Sequence, residues 1–334
     1  MSRSRLVVFI SMLVVGLGSL AAVGAVYLDP ARAAVGPLPP EGLLLPADAR
    51  FVAGLDVKRF TASPFYKRFR AQARPEALRD LEEKTGIVPE RDVDQVLVAG
   101  RPEGGPAAGV AIALGSFDTY KLGRSIETGS KRKATARTIE GFTAYVFDEG
   151  GKGPGAVAFI DRQTLVMGSL PAVEAALRSR SQGAVPLKSN AGLMALLERV
   201  KPGATFWMVG DQSLLSNLPG SVPGPGGGAP VTLPALQSLI VTGDLDPVVS
   251  LSITGDTPDG ESAQNLANIL NGFVGLLALQ AAQKPELKDL ATAISVSTEA
   301  NHVLVSARFP YELLEALQAT PGAAAQTGPA PPAP

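Results

Sequence analysis

The chain contains one histidine, His302, and no cysteine, and both facts limit the chemistry of its side chains. A Ser-His-Asp triad would have to use His302, and a metal site built from several histidines is impossible with one. Without cysteine there is no disulfide, no thiolate nucleophile and no cysteine-bound metal. His302 falls in a predicted strand, Asn301-His-Val-Leu-Val. We therefore interpret it as an ordinary strand-end residue rather than a catalytic base.

Two short segments match reactive or phosphate-binding motifs only in form. Ser130-Lys131-Arg132-Lys133 fits S-x-x-K, but it lies in a basic turn after Gly129, where a lysine would stay solvated. Gly226–Gly228 follow Pro225 rather than a strand, and no G-x-x-x-x-G-K-[ST] is present. No G-x-S-x-G follows residue 33. These patterns predict neither a hydrolase nor a nucleotide-binding protein, and we expect no enzyme activity, catalytic residue, cofactor or metal.

An acidic group could in principle bind calcium through carboxylate oxygens. Its members gather within eighteen residues: Asp244, Asp246, Asp256, Asp259 and Glu261. The spacing fits no EF-hand loop. The segment Asp256-Thr-Pro-Asp-Gly260 is instead typical of a turn in which Asp259 or Ser262 caps the following helix. We favour capping over calcium binding.

A second pair of acids, Asp92 and Asp94, stands two positions apart at the start of a predicted strand. Paired carboxylates can carry out general acid–base chemistry. At the start of a strand, however, this spacing is more typical of residues that cap the backbone. We expect both to act as surface caps.

One stretch of the chain is strongly basic. It comprises Lys58, Arg59, Lys67, Arg68, Arg70, Arg74 and Arg79. Such a set close to a membrane could attract anionic headgroups. Glu76, Asp80, Glu82 and Glu83 are interleaved with its end or follow it, which favours a solvated, salt-bridged face. The formal net charge is −1, so no global field attracts nucleic acid.

The N-terminus carries the signal for cellular location. Arg3 and Arg5 precede an apolar run of 23 residues, Leu6–Leu28. About 20 helical residues cross a bilayer, whereas the apolar region of a secretory signal is usually about 7–15 residues long. We expect a single-pass anchor in the cytoplasmic membrane, with the rest of the chain outside the cytoplasm. The alternative is cleavage after Ala33, which would release the same domain on the same side of the membrane.

An internal repeat organises the remaining chain into an expected linker (34–41), two repeats (42–185 and 186–319) and a disordered tail (320–334). Pro46–Asp56 resembles Pro202–Asp211, since each has a turn led by proline, an apolar run that includes phenylalanine, and a final aspartate. Gln95–Gly100 matches Gln237–Gly243. Gly109–Gly115 then matches Val248–Gly255.

Periodicity predicts strands followed by helices in each repeat, which is typical of an α+β fold with antiparallel sheets and helices on one face. The predicted strands are Phe142–Phe147, Ala156–Ile160, Thr164–Gly168, Ala293–Thr298 and His302–Phe309. The predicted helices are Pro64–Thr85, Tyr120–Glu127, Pro171–Arg180, Glu261–Gln283 and Pro310–Gln318. Pro75 should bend the first of these helices. The fourth is interpreted as a buried or interface helix, and Pro219–Pro230 as a flexible loop.

Several phrases of the chain resemble an uncharacterised family of membrane-anchored or secreted bacterial envelope proteins. They are Leu43–Phe69, Thr85–Asp94, Gly243–Val249 and Val305–Tyr311. The resemblance extends over most of the region from Leu43 to Leu317. It implies an envelope location and a duplicated α+β domain, and it implies no activity.

Together these features predict an envelope protein without enzymatic activity, in which a duplicated domain serves as a binding or structural module. The membrane partner is contacted through Leu6–Leu28. The alternative is a carrier or chaperone for a lipid or another apolar ligand, with the helix Glu261–Gln283 lying over a curved sheet. An envelope protein is the other possible partner, whereas nucleic acid and nucleotides are not expected.

Overall fold

The computed structural model describes residues 38–73, 82, 87–101, 109–129, 134–148, 153–215, 221–222, 231–280 and 285–319. The predicted anchor Leu6–Leu28, the site after Ala33, the motif Ser130–Lys133 and the tail lie outside these residues. Within the described part, no helix has both the length and the apolar character that a membrane crossing requires.

The fold is α+β, and its described part contains one antiparallel sheet of twelve strands. The strands run β1 Phe51–Asp56, β2 Val93–Gly100, β3 Val110–Gly115, β4 Thr135–Ile139, β5 Phe142–Asp148, β6 Pro154–Phe159, β7 Thr164–Ser169, β8 Phe206–Asp211, β9 Ser221–Val222, β10 Val231–Thr232, β11 Ser238–Asp244, β12 Val249–Asp256, β13 Ile294–Glu299 and β14 His302–Phe309. Across the sheet the order is β13-β14-β12-β11-β8-β1-β2-β3-β7-β6-β5-β4, and β9 pairs separately with β10.

Ten α-helices accompany the strands in the described residues. They are α1 Val57–Ala62, α2 Pro64–Ala73, α3 Pro89–Asp92, α4 Thr119–Gly129, α5 Leu170–Ser181, α6 Ala191–Glu198, α7 Gln212–Leu215, α8 Gly260–Gln280, α9 Pro285–Thr292 and α10 Tyr311–Ala319. Short 3-10 helices occupy Pro40–Leu44 and Pro186–Ser189.

The predicted α+β class and the predicted hairpin strands are confirmed, since β5, β6, β7, β13 and β14 lie within two residues of the expected bounds. The helices expected near Tyr120, Pro171 and Pro310 are present as α4, α5 and α10. The loop prediction for Pro219–Pro230 is partly wrong, because Ser221–Val222 forms β9 and pairs with β10. The bend expected at Pro75 lies outside the described residues.

Helices cover both faces of the sheet, so the prediction of helices on one face is wrong. Paired residues of neighbouring strands share a face, and successive residues of a strand point to opposite faces. Asp256 pairs with His302, and its carboxylate binds Arg199 at the end of α6. Val303, the next residue of β14, packs in one cluster with buried residues of α8. The central strands β2 and β3 are buried along most of their length, and such near-continuous apolar strands need cover on both faces.

The first-half and second-half strands of the sheet meet at the pair β1 and β8, which are the sixth and fifth strands in its order. Phe51 lies opposite Gly210, and Leu55 lies opposite Phe206. At the two ends of this pair the amide of Asp56 donates to the carbonyl of Thr205 at 2.8 Å, and the amide of Asp211 donates to the carbonyl of Arg50 at 3.0 Å. One hydrophobic core then extends through β1, β2, β3 and β8 to α5 and α6. The sheet is therefore continuous across the predicted repeat boundary at 185/186.

Candidate functional site: a polar cluster and an open hydroxyl face

The most concentrated polar cluster surrounds Asp256, the last residue of β12. Arg199 holds its carboxylate with two hydrogen bonds, Nη1 to Oδ2 at 2.6 Å and Nη2 to Oδ1 at 2.9 Å. The hydroxyl of Ser238 donates to Oδ2, and Nδ1 of His302 lies 2.6 Å from Oδ1. We call these four residues the Asp256 cluster. Three strands and the end of α6 converge to build it.

The charges of the Asp256 cluster compensate one another. Only 13% of the Asp256 side chain is exposed. Burial by itself would raise the pKa of this carboxyl, but hydrogen bonds from Arg199, Ser238 and His302, together with the charge of Arg199, lower the pKa to about 2. Bonding to Asp256 also raises the pKa of Arg199. The ion pair therefore persists over the whole physiological range of pH.

The geometry fixes how His302 can act. An ionised carboxylate only accepts hydrogen bonds, so His302 donates from Nδ1, and Nε2 is the ring nitrogen left for another partner. Its side chain is 35% exposed. Ser238 donates to Asp256 rather than to His302, so this arrangement differs from the Ser-to-His-to-Asp order of a hydrolase triad. The cluster holds the imidazole of His302 in one orientation at the surface of the sheet.

The cluster belongs to a cross-strand row that runs Ser238, Asp256, His302 in β11, β12 and β14. The row at the corresponding place in the first half of the sheet follows from register. In the second half, Asp211 at the end of β8 pairs with Ser238 in β11. In the first half, Asp56 at the end of β1 pairs with Gln95 in β2.

From Gln95 the pairing leads on to Leu114 and then to Thr164. Leu114 and Thr164 are each 2% exposed. Leu44 stands seven residues before Phe51, as Arg199 stands seven before Phe206. Counted outward from the β1–β8 pair, Leu114 therefore stands at the register position in β3 that Asp256 occupies in β12.

Two further rows on the same face of the second half are rich in hydroxyl side chains. Pairing joins Thr242 to Ser252, then to Ser306 and Ser295. The neighbouring row contains Ile240, Thr254, Leu304 and Ser297. We define the hydroxyl face as Thr242, Ser252, Thr254, Ser295, Ser297 and Ser306.

The hydroxyl face is open and its side chains are largely uncommitted. Ser295, Ser297 and Ser306 are exposed, and the other three members are half-buried. Within the part of the chain that the structure describes, their only hydroxyl hydrogen bond runs from Ser295 Oγ to the carbonyl of Ser306, at 3.5 Å. In the first half, seven of the eight matching positions hold a buried aliphatic residue, and the eighth holds Gly168, which is partly exposed. These residues are Leu97, Ile112, Val166, Ala158, Ala99, Val110, Gly168 and Ala156.

The acidic residues predicted as a calcium alternative do not converge. Asp259 accepts the amide of Ser262 at 2.7 Å and caps α8, as predicted. Asp244 accepts the amide and hydroxyl of Thr205 at the opposite end of β11 from Ser238. No group of three or more histidine, aspartate or glutamate side chains that could hold a metal is found among the described residues.

The other predicted acids and bases take structural roles. Asp92 accepts the amide of Val88 at 2.9 Å, which is the expected capping role. Asp94 is buried and forms an ion pair of 2.8 Å with Lys58, so surface capping is wrong for this residue.

In the basic set, Arg68 pairs with Glu312 and Glu315 and lies over the ring of Tyr311. The side chains of Arg70, Arg74 and Arg79 lie outside the described part. The described members therefore favour the salt-bridged alternative for this set.

Sequence reasoning placed His302 at a strand end, as the structure has it, and missed its partners. Asp256 is 46 residues away and Arg199 a further 57, so no local spacing links them. The sequence alignment of the two repeats gave no signal either, since matching Gly109–Gly115 with Val248–Gly255 leaves Asp256 outside the matched segments.

Comparison with known proteins gives no family. No family model matches the chain, and no curated protein matches it. Among solved structures, crystal form I of TP0453 matches with 10% identity and a TM-score of 0.44, over 84% of this chain and 96% of that chain. At this level of similarity the match supplies no argument about function.

Proposed function

We propose that this chain is a non-enzymatic binding module of the cell envelope, held in the cytoplasmic membrane by Leu6–Leu28 with its folded part outside the cytoplasm. The hydroxyl face is the observation that supports binding. Its framework is covered and apolar in the first half, yet open and polar in the second. The chain thus carries a broad surface whose hydrogen-bonding groups are free for a partner.

Site-specific photo-crosslinking in living cells tests this proposal. A photoreactive amino acid at Ser306 of the full-length protein should give adducts with an envelope component. The same residue at Thr138, an exposed hydroxyl position of β4, is the matched control and should not. Equal labelling from both positions would argue against a specific binding face.

The anchor and its orientation form the second part of the proposal. A reporter that is active only outside the cytoplasm, fused after Leu317, should be active, because arginines at 3 and 5 favour the cytoplasmic side. The full-length chain should stay with the membrane fraction. Recovery of a soluble protein beginning at Ala34 would show that the N-terminal segment is a cleaved signal rather than an anchor.

We further propose that the domain arose by duplication, and the register of the strands supports this. Phe51 pairs with Gly100, and Phe206 pairs with Gly243, in β1–β2 and β8–β11 respectively. Each phenylalanine ring lies beside the glycine that it faces.

The residues that follow the two phenylalanine strands also match. Asp56 accepts the amide of Arg59 at 2.9 Å, and Asp211 accepts the amide of Ser213 at 2.9 Å. Each aspartate therefore satisfies a backbone amide at the start of a helix. Paired with one another, β1 and β8 place the two halves about a local two-fold axis.

A carrier of apolar ligands is the second candidate, and the opposite face of the sheet favours it. One cross-strand row there reads Val98, Ala53, Met208, Val241, Ile253 and Val305. Most of these side chains are half-buried, and Leu279 of α8 is 74% exposed. If this candidate is correct, residues 35–334 purified without detergent should carry lipid that mass spectrometry detects in an organic extract. An extract without lipid would count against it.

A further inference from the structure

We propose that the ligand of the hydroxyl face is a neutral polysaccharide strand. This inference rests on the proposed function, since it names the class of partner for the same surface. It follows from three features of the face: its uncommitted hydroxyl groups, the lack of charged side chains in its two rows, and the imidazole held in place at one end.

The hydroxyl groups can both donate and accept. Each serine or threonine offers one donor and two acceptor lone pairs, as does each hydroxyl of a sugar. Individually such bonds contribute little in water, because they replace bonds to water. A repeating ligand that engages several of these hydroxyl groups at once forms more hydrogen bonds, and so gains more binding free energy, than a small molecule can.

The lack of charge decides among ligand classes. None of the six side chains of the hydroxyl face is ionisable. A polyanion, or a membrane of anionic lipids, is bound through lysine and arginine, and the two rows of the hydroxyl face contain neither residue. A neutral strand needs no counter-charge and is the class that this surface complements.

The arrangement suits an extended ligand. Neighbouring strands are about 4.8 Å apart, and alternate residues along a strand are about 6.8 Å apart. Ser252 and Thr254 follow one another along β12 at this spacing, and Ser295 and Ser297 do so along β13. The face is therefore a regular lattice that crosses four strands.

The Asp256 cluster terminates this lattice. His302 lies on the same face, one row beyond Thr254 and Leu304. Asp256 holds its ring through Nδ1, which leaves Nε2 to form a hydrogen bond with a ligand hydroxyl. Glu299, paired with His302 in β13, supplies a carboxylate at the same end. These two polar groups would fix where a polysaccharide strand begins on the face.

Solvation alone does not require this composition. A solvated antiparallel face commonly mixes lysine and glutamate with threonine. The last helix of the second half, α10, packs on the opposite face with Ala307 and Phe309, and so leaves the hydroxyl face uncovered. The two rows of the hydroxyl face are open and contain no long charged side chain. Charged residues stand only beyond them, with Arg308 next to the row of Ser252 and Ser306 at one end and Glu299 beside His302 at the other.

Co-sedimentation with insoluble polysaccharides tests the proposal. Full-length protein in detergent micelles is mixed with chitin and cellulose as neutral probes, and with alginate gel as the anionic one. We expect retention on at least one neutral probe, unchanged by added salt. Substituting Ser252→Ala, Ser297→Ala and Ser306→Ala together should weaken retention at least tenfold, whereas Thr135→Ala with Thr138→Ala in β4 should not.

The outcomes separate this inference from the proposed function. Melting temperatures equal to that of the parent protein show that the variants are folded. Three results would overturn the proposal of a neutral polysaccharide. They are no retention on chitin or cellulose, equal retention of the two variants, and retention on alginate alone that added salt abolishes. If Ser306 still crosslinks to a protein in cells, the binding module stands with another partner. If it crosslinks to nothing, both proposals fail.

Discussion

At the scale of single residues, the Asp256 cluster shows how a carboxylate is accommodated with little exposure in a mostly apolar sheet. Leu114 fills the matching position in the first half and is 2% exposed. Only 13% of the Asp256 side chain is exposed, and the structure tolerates this burial because Arg199, Ser238 and His302 all bond to the carboxylate. A buried carboxylate without such partners would be strongly destabilising.

The lowered pKa of Asp256 predicts an acid-dependent loss of stability. Its pKa falls from 3.8 to about 2 on folding, so ionisation of this group stabilises the protein above pH 3.8 and ceases to do so as the pH falls through about 2. Near neutral pH, the free energy of unfolding of the parent protein should exceed that of Asp256→Asn by about 2 kcal/mol. This difference should disappear as the pH falls from 3.8 to about 2. Urea unfolding at a series of pH values measures the difference.

The matched control is Asp48→Asn. Asp48 pairs with Arg101 at 2.9 Å, but its side chain is 62% exposed. Surface pairs of this kind contribute about 0–1 kcal/mol. An equal, pH-dependent loss in both variants would show that general charge, rather than the Asp256 cluster, determines acid stability.

At the scale of elements, the phenylalanine–glycine pairs link each first strand of a half to its neighbour. In β8–β11 the ring of Phe206 occupies the space where a side chain on Gly243 would begin. In β1–β2 a Cβ on Gly100 would lie 3.3 Å from the ring of Phe51, which is tight but closer to normal contact. The two pairs are thus alike in register and different in closeness.

This difference predicts unequal effects of one substitution. Gly243→Ala should destabilise by about 1–3 kcal/mol, because the ring of Phe206 must move. Gly100→Ala should cost less, since its Cβ would lie 3.2 Å from the Cα of Gly109 and 3.3 Å from the ring of Phe51, contacts that are tight without being a direct overlap. Alanine also removes the conformational freedom of glycine from the unfolded chain. Thermal unfolding of both variants measures this. A larger loss for Gly100→Ala would contradict the packing described for the two pairs.

What the sequence could predict at this scale was local. The hairpins β5–β7 and β13–β14 were found because their apolar alternation and turn residues are contiguous. The strand β4, Thr135–Ile139, was missed because all but its last residue are exposed, which leaves no apolar alternation. The faces that helices cover were also missed, since they depend on pairing between strands that are far apart in sequence. The same reason hides the hydroxyl face, whose rows join β11, β12, β14 and β13.

At the scale of the whole molecule, the two halves share one sheet and one core. Val52 and Val209 face each other in the pair β1–β8, where the halves meet, and have no exposed surface. The core around them includes Leu97 of the first half and Leu193 of the second. Separating the halves would expose this apolar surface to water, so the halves should unfold together.

Trp207 provides a direct test of that cooperativity. It is the only tryptophan of the chain, it is 4% exposed, and its ring lies over Gly54 of the neighbouring central strand. Its fluorescence therefore reports the junction of the halves, whereas far-UV circular dichroism reports all helices and strands. We expect the two signals to change at the same temperature. Gly54→Ala would press a methyl group against the indole and should lower both midpoints equally, because strain at the junction is shared by the whole domain. Separate midpoints, or a shift confined to the fluorescence signal, would show that the two halves are independent domains joined by a weak contact.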